Sequence, residues 1–92
     1  MKEIKLSGRE CAVLRAVDSM GSTLEDLMLR THIDPEQLSD LLSGLAEVGY
    51  VEVFHADGTP MMDPFTVEQV HELRFETNPS YTQELKKAML RY

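Results

Sequence analysis

Thr23 to Phe54 reads TLEDLMLRTHIDPEQLSDLLSGLAEVGYVEVF, and the hydrophobic period changes once within it. Asp34-Pro35 opens a helix: the Asp caps, and the Pro takes the first helical position, where no amide bond is lost. Gln37 stands where it completes a capping box. Leu38, Leu41, Leu42, Leu45 and Val48 then form one apolar stripe at helical spacing, and Gly49 ends it. From Tyr50 the period becomes two, and Tyr50 to His55 is rich in strand formers. Upstream, Thr23 with Asp26 is a second cap. Leu24, Leu27 and Met28 share a face, which predicts a short helix over Leu24 to Arg30 and a turn at Thr31 to Ile33. His32 in that turn tolerates a positive φ better than a β-branched residue would, and reads as a turn or surface residue.

Working outward, Ser7 and Glu10 make a capping box with Leu6 and Cys11 at the staple positions. Cys11, Leu14, Val17 and Met20, with Val13 and Ala16 beside them, predict a first helix from Gly8 to Met20, stopped by Gly21. Ser22-Thr23 is a short β-prone link. On the other side, Asp57-Gly58 is a turn signal, and Thr59 to Phe65, with two prolines, reads as loop. Phe65 to Gln69 fits strand or turn equally. Val70 to Glu76 reads as a returning strand, with Leu73 and Phe75 opposite Arg74 and Glu76. Asn78-Pro79 repeats the cap-plus-proline signature, and Tyr81, Leu85, Ala88, Met89 and Tyr92 line one side of a last helix.

The chain has 92 residues, 42% hydrophobic and 27% charged, an ordinary composition for one soluble domain with a single modest core. Nine Lys and Arg against sixteen Asp and Glu give a net charge of −7. That balance opposes non-specific coating of nucleic acid or anionic membrane, both of which need cations. One cysteine excludes an intrachain disulfide framework. No apolar run approaches the ~20 residues of a membrane-spanning helix, and Met1 to Leu6 alternates charge with apolar residues, unlike a signal-peptide core. These features set a cytoplasmic location as the expectation.

Three helices, the second short and turned tightly into the third, followed by a glycine stop and a hairpin, resemble the winged helix-turn-helix of bacterial and archaeal transcription regulators. The likeness is carried closely by Thr23 to Phe54, with Leu42, Leu45, Gly49, Tyr50 and Val51 standing at the places of that family's leucine-rich tail, and in outline by Ser7 to Thr77. The turn departs from the pattern, since Thr31-His32-Ile33 stands where a glycine is frequent. The resemblance implies an α+β fold: a three-helix bundle with the helix-turn-helix, a two-stranded β wing and a C-terminal helix. It divides residues 1–92, as a single domain, into the helix-turn-helix core and first wing strand (7–55), the wing (56–77) and the C-terminal helix (78–92).

The resemblance also implies that the third helix enters the major groove of DNA, a task that needs cations for phosphate. With the leucine stripe subtracted, its outward residues are Glu36, Gln37, Ser39, Asp40, Ser43, Gly44 and Glu47, none of them basic. Between Arg30 and Arg74 there is no Lys or Arg, while nine acids fall in that 43-residue interval. A face without cations releases no counterions and adds repulsion. The expected function is therefore a non-enzymatic regulatory module contacting protein. The acidic face is either a solubilising surface or a docking face for a basic partner. The alternative is a DNA-binding regulator that acts as a dimer or through helix one and the termini, with Lys2, Lys5, Arg9 and Arg15 as contacts.

Wing residues His55, Asp57, Met61 and Met62 belong to the same partner-facing set. The two methionines either fold back onto the hairpin or present a flexible apolar patch. Tyr81, Leu85, Met89 and Tyr92 either pack on helix one or form the contact of a homodimer. His55 and His71 across a hairpin, with Asp57 or Glu72, match no ligand spacing, so no metal is expected. Cys11 on an apolar face reads as a buried, inert thiol. There is no phosphate loop, nucleophile elbow or paired catalytic constellation, and neither cofactor nor catalytic residue is expected.

Overall fold

In a computed structural model, residues 6–17, 22–61 and 65–90 are described. Ser7 accepts from the Glu10 amide at 3.1 Å and Glu10 accepts from the Ser7 amide at 2.9 Å, so the predicted capping box starts α1, Gly8–Ala16. Leu6 and Cys11 are both buried behind it. The helix stops short of the expected Met20: Val17 is already extended, at ψ 121°. A side chain fourteen residues on holds that end. Arg30 donates from Nη1 to the Ala16 carbonyl at 2.8 Å, satisfying an acceptor the helix end would otherwise leave open and setting a cation at its negative pole. Met20 and Gly21, the expected end of that helix, lie outside the described residues.

β1, Ser22–Thr23, leads directly into α2, Leu24–Thr31, through the Thr23–Asp26 box. α2 closes on His32 in the left-handed region, φ 58° and ψ 27°, as the turn required. Asp34 then caps α3, Pro35–Glu47, by accepting from the Gln37 amide at 3.0 Å. Gln37 does not return the bond, so half of the expected box forms. Leu38, Leu42 and Leu45 are 0–1% exposed, and each contributes about 1.5–3 kcal/mol on burial. Val48, assigned to the same stripe by spacing, is 56% exposed because the helix has ended before it. At that end the Tyr50 amide donates to the Leu45 carbonyl and the Gly49 amide to the Ala46 carbonyl, both at 3.0 Å. This double bond pattern needs a positive φ at Gly49, which sits at +90°.

The chain swings from there into β2, Val51–His55. Asp57-Gly58 makes the predicted turn, with Gly58 at φ +92° and the Asp57 carboxylate accepting from both the amide and the hydroxyl of Thr59. These bonds hold the Asp57 carboxyl below its ordinary range. The turn does not lead to the returning strand. Instead Thr59 to Met61 folds back on the outer edge of β2, the His55 amide donating to the Thr59 carbonyl at 2.8 Å and the Met61 amide to the Val53 carbonyl at 2.9 Å. The return comes later, as a 3₁₀ turn over Val70–Glu72 and then β3, Leu73–Thr77.

The sheet has three antiparallel strands in the order β1-β3-β2, one more than the two expected. Ser22 pairs with Phe75 on one side and Val53 pairs with Phe75 on the other, which makes β3 central and Phe75 its pivot. Phe75 is fully buried and meets Phe65 edge-on at 5.7 Å. After β3 a second 3₁₀ turn, Pro79–Tyr81, runs into α4, Thr82–Met89. Leu85 and Ala88 face the core, so the apolar stripe of α4 packs on its own chain. Cys11 is buried among the same residues, and loss of hydration pushes its thiol up, against a smaller opposing pull from Arg15. Among the described residues no helix is long and apolar enough to cross a membrane.

Candidate protein-docking face

Once Leu38, Leu42 and Leu45 have turned inward, α3 presents Glu36, Asp40 and Glu47 to solvent. Gln37 and Ser43 are half-buried at the margins of that face. Ser39 is a correction: it is buried, 4% exposed, because it follows Leu38 onto the flank of the helix that packs inward, and it is not available to a partner. The outward set of α3 is therefore three carboxylates and two polar margins, without a cation.

Between the C-terminal half of α3 and β2 lies a groove of about 650 Å³. Ala46, Val51, Phe54, Met61 and Phe65 supply its apolar lining, and Glu47 and Glu52, both exposed, supply its charge. Met61 is half-buried and packs against the core, as the fold-back reading required; Met62 lies outside the described residues. At one end of the groove stand Gly49 and Asn78. Asn78 ties the α3–β2 corner to the turn before α4: its Nδ2 donates to the Gly49 carbonyl at 2.7 Å, its amide to the Tyr50 carbonyl at 2.9 Å, and its Oδ1 accepts from the Ser80 amide at 3.0 Å. Tyr81 meets Tyr50 edge-on at 5.2 Å beside it.

Of this groove, Ser43, Glu47 and Met61 stood among the sequence candidates. Phe54 and Glu52 carried a detectable signal, since strand alternation sets them on the face opposite Val51 and Val53. Phe65 and Asn78 carried none, because their roles depend on contacts made across the fold.

A second concavity, about 450 Å³, is lined by Thr23, His55, Gln69, His71, Glu72 and Arg74 among others. His55 and His71 thus line one hollow, while Asp57 is occupied in its turn. His71 Nδ1 lies 3.0 Å from Glu25 Oε1 on α2. Among the described residues no group of three or more His, Cys, Asp or Glu is placed to hold a metal ion. The His71 bond, with a smaller contribution from the backbone, holds the Glu25 carboxyl below its ordinary value of 4.5. A depressed carboxyl stabilises the fold above its unfolded pKa and loses that contribution as pH falls through the folded value. Both groups are about half exposed or more, which limits the contribution to under about 0.5 kcal/mol. His71→Ala is expected to return the Glu25 titration toward its ordinary position, followed by carboxyl ¹³C NMR. An unchanged titration would show that the pair does not form in solution.

The cations sit elsewhere. Arg9 and Arg15 are exposed on α1, and Lys86 and Lys87 on α4. Arg30 is engaged with the Ala16 carbonyl, and Arg74 lies at the second concavity. Lys2, Lys5, Tyr92 and the side chain of Met89 lie outside what is described. Leu85 is 1% exposed and so closed to a second copy, while Tyr81 is 36% exposed and belongs to the 3₁₀ turn before α4. No protein-family model, curated protein or solved structure matches this chain.

Proposed function

We propose that the chain is a non-enzymatic winged-helix module that works in the cytoplasm by docking protein on the α3/β2 face. The helix order, the tight α2–α3 corner and the antiparallel β2–β3 pairing support the winged-helix reading, with β1 as a third strand. The observation that carries the function is the chemistry of the face. Where a DNA reader would hold phosphate, Glu36, Asp40, Glu47 and Glu52 are exposed, and an apolar groove opens beside Glu47 and Glu52. Carboxylates repel a polyanion, whereas an apolar groove flanked by acids suits a basic segment of protein.

Fluorescence anisotropy with mixed-sequence and genomic duplex DNA at low salt tests this. The expected result is no saturable binding. Saturable binding that weakens as salt rises would overturn the docking reading. It would favour the second one, a DNA-binding regulator acting as a dimer or through helix-one and terminal cations, of which Arg9 and Arg15 of α1 are exposed.

A further inference from the structure

We propose that the groove between α3 and β2 receives the C-terminal helix of a second copy of this chain, reciprocally, so that two copies close into a two-fold dimer. The inference rests on the α3/β2 face being a protein-docking surface and names its occupant.

The groove asks for an apolar anchor with cations beside it. Its half-buried apolar lining, Ala46, Phe54, Met61 and Phe65, is bordered by the exposed Glu47 and Glu52. An independent feature of the sheet points the same way. Glu52 stands directly opposite Glu76 in the β2–β3 register, a like-charge pair that a sheet disfavours. Neither is in an ion pair among the described residues. A cation delivered to this spot relieves that repulsion as well as pairing with Glu47.

α4 carries the complementary chemistry. With Leu85 and Ala88 turned to the core, its outward side holds Lys86, Lys87 and Leu90, and Leu90 is 83% exposed. Leu90 lies four residues from Lys86 and three from Lys87, and its amide still donates to the Lys86 carbonyl, so the three form one stripe. An exposed leucine flanked by two ammonium groups matches an apolar groove flanked by two carboxylates. The positions allow the exchange to be mutual. Asn78, at the end of the groove, also caps the 3₁₀ turn that runs into α4, so donor helix and receiving groove are neighbours in the fold. A two-fold axis near that junction presents each α4 to the other copy's groove, the self-complementary arrangement a closed dimer needs.

Salt dependence alone does not decide the matter, because two copies at −7 repel at long range while the groove attracts at contact. Charge reversal does decide it. Sedimentation velocity of the full chain up to about 500 μM is expected to show a concentration-dependent dimer. K86E/K87E and E47K/E52K are each expected to weaken it about tenfold or more, and the two pairs combined to restore it. Leu90→Asp, at a site exposed in the monomer, is expected to weaken it at least as much without lowering the melting temperature. A monomer throughout the range overturns the proposal, as does a dimer that none of these variants weakens, or one that the combined reversal fails to recover. A monomer that ignores DNA leaves the docking reading standing for a basic partner of another kind, whereas DNA binding removes that reading itself.

Discussion

Phe75→Ala is expected to lower stability by about 3–5 kcal/mol, the range for emptying a fully buried aromatic site. Phe75 is 0% exposed, stands on the central strand with Ser22 and Val53 beside it, and packs edge-on against Phe65. Truncation removes the ring from every layer at once, and strands paired on both sides cannot collapse to refill the space. A domain of this length holds about 5–14 kcal/mol in all. The variant should therefore melt roughly 15–30 °C lower by circular dichroism. Phe75→Leu, which keeps most of the volume, should lose far less. A loss under about 1 kcal/mol for the alanine variant would mean that β3 does not occupy the centre of the core.

Asn78→Ala comes second, at about 2–3 kcal/mol. Two side-chain bonds disappear together: the donor to the Gly49 carbonyl and the acceptor for the Ser80 amide. The first leaves a partly buried carbonyl without its donor, worth about 1–3 kcal/mol, and the second removes a cap, worth about 1 kcal/mol. Asn78→Asp separates the two. The carboxylate still caps Ser80 but offers no donor to Gly49, and it faces the carbonyl with like polarity. Aspartate should therefore recover little. Urea unfolding measures both variants, and a change within about 0.5 kcal/mol for alanine would show that the Gly49 contact is not a tie between α3 and α4.

Much of this architecture could be read from local chemistry. Capping boxes, the Asp34-Pro35 start, the left-handed His32 and the glycine at the end of α3 are decided within a few residues, so their signals survive in the sequence. The leucine stripe of α3 gave its buried face correctly as far as Leu45 and failed at Val48, where the helix end overrode the period. What stayed hidden depended on distant pairing. Arg30 reaches the end of α1 across 14 positions, Ser22–Thr23 is too short to announce itself as a strand, and only folding brings Asn78 to Gly49. The acidity of the α3 surface was visible as a gap in Lys and Arg between residues 30 and 74. The groove was not, because its walls come from α3, β2 and Phe65, three segments whose relation no local pattern records. The error at Ser39 has the same origin. Position on a helical wheel does not say how far neighbouring elements wrap around the helix.

The fold-back of Thr59 to Met61 onto β2 also bears on how this protein survives at high concentration. A short sheet has two borders where bare amide and carbonyl groups invite another chain to add a strand, the first step toward polymerisation. One border here is only the two residues of β1. Along the other, the His55 amide and the Val53 carbonyl are already taken by the chain's own return, and Pro60, bridged to Phe54, has no amide to offer a newcomer. The Asp57-Gly58 turn thus guards against runaway strand addition, and it leaves side chains, rather than backbone, as the surface through which this molecule meets others.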